Sequence, residues 1–66
     1  MKMVVANIYI GHVIETADDR FVVKGNMKMR GRYLYVCTNK AGRTVSLSRD
    51  DVLQAQRDGD AKVLAA

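Results

Sequence analysis

A chain of 66 residues makes one small domain, residues 1–66, in the size range where a single core is only marginally stable. Its one cysteine excludes an internal disulfide and its one histidine leaves no Cys/His cluster for zinc, so with both staples missing a homodimer is expected. The net charge of +4 hides a strong polarity: Arg20, Lys24, Lys28, Arg30, Arg32, Lys40, Arg43 and Arg49 share a window with no acid, while the rest of the chain carries three basic and seven acidic residues, 3 − 7 = −4.

The start of the chain, Met1 to Ile10, is apolar but too short to span a membrane and lacks a small-residue cleavage pattern. Together with the free thiol this predicts a cytoplasmic protein with no membrane contact. Val4, Ala6, Ile8 and Ile10 alternate with Val5, Asn7 and Tyr9, which predicts a first strand, bent at Gly11 and resumed by Val13-Ile14-Glu15. Thr16-Ala17-Asp18-Asp19 reads as a polar turn, and Phe21-Val22-Val23-Lys24 as a second strand. Gly25-Asn26 suits a type II′ hairpin, after which Met27 to Arg30 runs back and continues through Tyr33-Leu34-Tyr35-Val36-Cys37.

Asn39-Lys40-Ala41-Gly42 reads as a four-residue hairpin loop with Gly42 left-handed. It sets Thr38 opposite Arg43, Val36 opposite Val45 and Leu34 opposite Leu47, so one face is aliphatic and the other holds Tyr33, Tyr35, Ser46 and Ser48. Ser48 is a helix N-cap followed by Asp50 and Asp51, where negative charge suits the helix dipole, and Gly59 is the stop. Ala61-Lys62-Val63-Leu64 reads as a closing strand. The layout predicts a mainly β fold of four to five strands with one C-terminal helix. It is either a small SH3-like barrel or, second, an open sheet with the helix packed on it.

Between Lys24 and Tyr33 the basic residues alternate with methionines, and an unbroken strand would place Leu34 and Val36 on the basic face. A bulge near Gly31 restores agreement, grouping Met27, Met29, Leu34 and Val36 inward and Lys28, Arg30, Tyr33 and Tyr35 outward. Phe21 and Val23 fall with the basic residues, so both faces carry apolar side chains and either the helix or a partner covers the second.

Cations beside exposed rings serve single-stranded nucleic acid, since the cations neutralise phosphates and the rings stack on bases. The expected function is therefore non-enzymatic binding of RNA or single-stranded DNA. Lys28, Arg30, Arg32, Tyr33 and Tyr35 form its centre, with Lys24, Lys40 and Arg43 at its edges. The rival is a protein-binding module or inhibitor, of phage or mobile-element type, that docks the same basic face on an acidic partner protein.

Val45 to Gln54 resembles the strand-to-helix junction of the carbon storage regulator family of RNA-binding dimers, and Val23-Lys24-Gly25-Asn26 has a counterpart there. The resemblance implies an RNA-contacting role for Arg49. It covers about a fifth of the chain, the family's basic N-terminal strand is absent and the spacing between the two patches differs, so membership does not follow. A Cys–His nucleophile pair has only Cys37 and His12 to draw on, Asp18-Asp19 and Asp50-Asp51 fit a turn and a helix start, and the glycines form no phosphate loop. No enzyme activity, cofactor, metal or catalytic residue is expected.

Overall fold

A computed structural model describes residues 4–65. Five strands and one helix follow in the order β1 (Val13–Thr16), β2 (Arg20–Met29), β3 (Arg32–Thr38), β4 (Thr44–Ser48), α1 (Arg49–Asp58) and β5 (Ala61–Leu64). The strands form one antiparallel sheet in the order β4-β3-β2-β1-β5. The fold is thus mainly β, and the expected closing strand is present. The sheet is open: β4 and β5 are its two edges and do not pair, so the barrel expectation gives way to an open sheet carrying one helix. No helix among the described residues is long and apolar enough to cross a membrane, and Met1 to Met3 of the apolar start lie outside the described residues.

The segment expected as a first strand, Val4 to Ile10, forms none. Its backbone finds another partner. The buried Gln56 of α1 accepts from the Val5 N–H at 2.8 Å and donates to the Val5 carbonyl at 3.0 Å, standing in for a neighbouring strand. Val5 and Ile8 thereby reach the core. The chain then turns at Gly11, whose φ of 95° few other residues adopt, and Gly11 and His12 bond to the Val23 backbone as β1 begins.

The polar turn after β1 is as expected. Thr16 and Asp19 exchange backbone and hydroxyl hydrogen bonds across it. The next reversal lies elsewhere than expected. β2 runs straight through Gly25-Asn26 and turns at Arg30-Gly31, where φ is 52° and 79°; positive values at both central residues make a type I′ turn. Turning there allows β2 and β3 to pair from Val22↔Thr38 to Met29↔Arg32, far longer than a reversal at Gly25 permits. Tertiary pairing overrides the local turn preference of Gly-Asn.

The parity shift exists, but its place is Lys24, between the pairs Val23↔Cys37 and Gly25↔Val36, and Gly31 is a turn residue. The expected grouping appears all the same, through direct pairing across the Arg30-Gly31 turn: Met27, Met29, Leu34 and Val36 share a face, and Lys28 and Tyr33 share the other with Tyr35. The burial is inverted. Tyr35 is 5 % exposed in the core, while Met27 and Met29 are 39 % and 52 % exposed.

The β3–β4 loop explains the inversion. It holds five residues, Asn39 to Arg43, closed by Asn39 N–H to the Arg43 carbonyl and by Arg43 N–H to Asn39 Oδ1, with Gly42 left-handed as expected. The register becomes Thr38↔Thr44, Cys37↔Val45 and Tyr35↔Leu47, one residue off the expected pairing. Because side chains alternate, that slip brings Val45 and Leu47 onto the face of Cys37 and Tyr35 and leaves Ser46 and Ser48 opposite Val36 and Leu34.

Ile14, Val23 and Cys37 are fully enclosed on the inner face, with Tyr35, Ile8 and Val52 completing the core. The helix covers this face as it crosses from β4 to β5. Ser48 takes the N-cap position with extended backbone but makes no side-chain capping bond, Asp50 and Asp51 occupy the first turn, and Gly59 ends the helix in the left-handed region. There the Asp60 N–H bonds to the Ala55 carbonyl and the Gly59 N–H to that of Gln56, a Schellman closure.

Candidate nucleic-acid interface

At the end of the sheet next to the Arg30-Gly31 turn, Tyr33 stands half exposed at the foot of β3. Lys28, its cross-strand partner, holds its Nζ 5.5 Å from the ring centroid. Arg49, the first residue of α1, holds its guanidinium carbon 5.7 Å from the same centroid. The position of Arg49 follows from the chain path, because β4 passes into α1 without a loop and Ser48 pairs with Leu34, the neighbour of Tyr33.

Tyr33 and Arg49 line a shallow pocket with Asn26, Tyr35 and the N-terminal residues Ala6, Asn7, Ile8 and Tyr9. Tyr9 is 61 % exposed and meets His12 edge-on, with ring centroids 5.7 Å apart. Its N–H donates to His12 Nδ1 at 3.3 Å. Burial pushes the Tyr35 phenol above its ordinary pKa, and the Arg49 charge opposes that shift, placing a cation's field inside the pocket.

The eight expected site residues separate. Lys28 and Tyr33 come together, and Arg30 lies in the adjoining turn. Arg32 sits on the opposite, open face beside Met29, and Tyr35 is buried with only its pocket-lining edge available. Lys24 is exposed at the bulge. Lys40 and Arg43 lie in the β3–β4 loop, at the far end of β3, about 20 Å away at 3.3 Å per residue. Around that far end the signs mix: Arg20 pairs with Glu15 across the strands, and Asp19 accepts from the Arg20 and Lys40 backbone N–H groups at 2.7 and 2.9 Å. At the Tyr33 end the cations Lys28, Arg30 and Arg49 gather, with Asp50 and Asp51 following Arg49 in the first turn of the helix and Arg32 on the opposite face.

Arg49, Tyr9, Asn7 and Asn26 are pocket residues that patterning along the chain does not identify. Arg49 belongs to the acid-free basic window and to the short resemblance at the strand-to-helix junction, but neither places it beside Tyr33. Tyr9 and Asn7 fall in a segment that reads as a strand, and Asn26 in one that reads as a turn.

Cys37 is sealed in the core, its thiol pKa raised by burial and its Sγ directed to the Tyr35 carbonyl. Among the described residues no three His, Cys, Asp or Glu side chains are grouped to hold a metal ion. Comparisons with protein-family models, curated proteins and solved structures find no match.

Proposed function

We propose that this protein is a non-enzymatic, cytoplasmic module that binds single-stranded nucleic acid, RNA or DNA, at the Tyr33 end of its sheet. The observation that carries the reading is the half-exposed Tyr33 ring flanked by Lys28 and Arg49 at the mouth of a pocket. An exposed cation–π contact is worth about 0.5–1 kcal/mol, whereas a base stacked on an aromatic ring contributes about 1–3 kcal/mol. An incoming base therefore displaces the flexible Lys28 ammonium from the ring and frees it for a phosphate. Arg49, anchored on the helix, contributes a second phosphate contact or stacks its guanidinium plane on the base. Asn7 and Asn26 supply amide donors and acceptors beside the ring.

Fluorescence anisotropy of labelled single-stranded oligonucleotides tests the reading. If Lys28, Arg30 and Arg49 each displace one counterion, log K falls against log salt with a slope of about −2, an affinity loss of about 20-fold between 50 and 200 mM salt. Tyr33→Ala weakens binding about 5- to 150-fold. No anisotropy change at micromolar protein in low salt refutes the proposal, as does salt-sensitive capture of an acidic protein with no response to oligonucleotides.

A further inference from the structure

On the reading that Tyr33 stacks a base of a single strand, we propose that its pocket selects adenine, held on two edges by the carboxamides of Asn7 and Asn26. Both side chains line the pocket and are exposed, and among the described residues neither carboxamide has a hydrogen-bond partner. They arrive from different elements. Asn26 pairs with Tyr35, two residues along the ladder from the Lys28↔Tyr33 pair, so it is the diagonal neighbour of Tyr33 on the same face. Asn7 comes from the N-terminal segment, between Val5, which is bonded to Gln56, and the buried Ile8. With anchors on both sides, Asn7 has little freedom to leave the pocket.

The pocket holds about 170 Å³. A cavity of about 150 Å³ takes up a benzene ring, so this shallow one seats a single base flat on Tyr33, with its edges turned to the walls. A carboxamide offers a donor and an acceptor side by side and is matched by an edge that offers the same pair. Every base presents such a pair on its Watson–Crick edge. On the next edge only adenine does, with the N6 amino donor beside the N7 acceptor. Guanine has two acceptors there, cytosine a lone donor, and thymine or uracil a lone acceptor. The third edge adjoins the sugar and stays with the strand. Two carboxamides therefore find two full sets of bonds on adenine alone, whose amino group gives one hydrogen to each.

Guanine calls for a different reader. Arginine bonds to its O6 and N7, but the Arg49 guanidinium carbon lies over the Tyr33 ring, 5.7 Å from the centroid, on the flat of a stacked base and off its edges. Among the described residues that line the pocket none is acidic, so the N1 and N2 donors of guanine meet no carboxylate.

The probe is a labelled seven-nucleotide DNA strand, abasic except at its centre, titrated with the full chain in low salt and followed by fluorescence anisotropy. A central adenine binds at least about fivefold tighter than guanine, cytosine or thymine, the low end for one bidentate contact. 7-Deazaadenine keeps the ring but loses N7, and unsubstituted purine loses the amino group. Both fall to the level of the other bases or below, with the protein untouched. Asn7→Ala and Asn26→Ala each lower the ratio of adenine to thymine affinity. Equal affinity for the four bases, with Tyr33→Ala still weakening them all, overturns adenine selection and leaves the stacking platform standing. A preference for guanine overturns it too, with Arg49 as the reader. Adenosine monophosphate binding as tightly as the strand overturns it in favour of a free nucleotide. No binding of any base-bearing strand overturns adenine selection and the stacking platform together.

Discussion

Gln56→Ala tests how the N-terminal segment is held. The side chain is 5 % exposed and makes two hydrogen bonds, both to the Val5 backbone. Truncation leaves that N–H and carbonyl without partners. At about 0.5–1.5 kcal/mol net per bond, the loss is about 1–3 kcal/mol, a large part of the stability of so small a domain. The loss also extends to function, because Ala6 to Tyr9 form one wall of the Tyr33 pocket and Gln56 positions the segment that carries them. Urea unfolding gives the stability change from the midpoint at constant m. Hydrogen exchange gives its location, with the Val5 amide exchanging faster in the variant while the amides of β2 and β3 retain their order of protection. Gln56→Glu adds a pH signature. An ionised carboxylate accepts from the Val5 N–H but cannot donate to the Val5 carbonyl, whereas a protonated one does both, so this variant recovers toward wild type as pH falls. A Gln56→Ala cost below about 0.5 kcal/mol, with unchanged Val5 exchange, would refute the reasoning.

Three further outcomes follow from the same structure. Arg30→Asn replaces a side chain held at φ 52° by one that favours the left-handed region and stabilises the fold by about 0.5–1 kcal/mol, measurable by urea or thermal unfolding. It also lowers the salt slope of oligonucleotide binding by about 0.7. Cys37, enclosed and with its pKa raised by burial, reacts with a thiol reagent at neutral pH only as fast as the protein opens, so its labelling rate follows urea while a denatured control reacts at once. Backbone N–H groups of Lys40 and Arg20 hold the Asp19 carboxyl below its ordinary pKa. A depressed folded pKa gives stability that is present above the unfolded value and lost as pH falls through the folded one. The stability difference between wild type and Asp19→Asn is therefore constant near neutrality and shrinks in strongly acidic solution, as urea unfolding across pH will show.

Features fixed by local chemistry are legible in the sequence: the Thr16 to Asp19 turn, the Gly42 loop position, the helix from Ser48 to Gly59 and the final strand. Each depends on a backbone preference or cap acting within a few residues. Features decided by long-range pairing are not. Gly25-Asn26 has better turn residues than Arg30-Gly31, yet the longer β2–β3 ladder prevails. A single extra loop residue before β4 inverts which face of β3 is buried, and nothing near Asn39 signals that length. The candidate site follows the same division. Lys28 and Tyr33 share a face both in the sequence reading, through a bulge at Gly31, and in the structure, through direct pairing across the Arg30-Gly31 turn, but Arg49 and Tyr9 reach Tyr33 only through the three-dimensional path of the chain.

The contact between Val5 and Gln56 spans 51 positions, and β5 pairs with β1 from Val13↔Leu64 to Thr16↔Ala61. Both join the beginning of the chain to its end. The β2–β3 hairpin, by contrast, closes across two residues and needs only its own neighbours, and hairpins of that kind form in about 1–10 μs. Assembly thus has an order, with the middle of the sheet built locally and the termini joined last because distant segments must first meet. On the ribosome, β1 stays without its outer neighbour until residue 64 leaves the exit tunnel, and Val5 waits for Gln56. The candidate binding pocket, walled by the N-terminal segment, is therefore among the last parts of the molecule to exist.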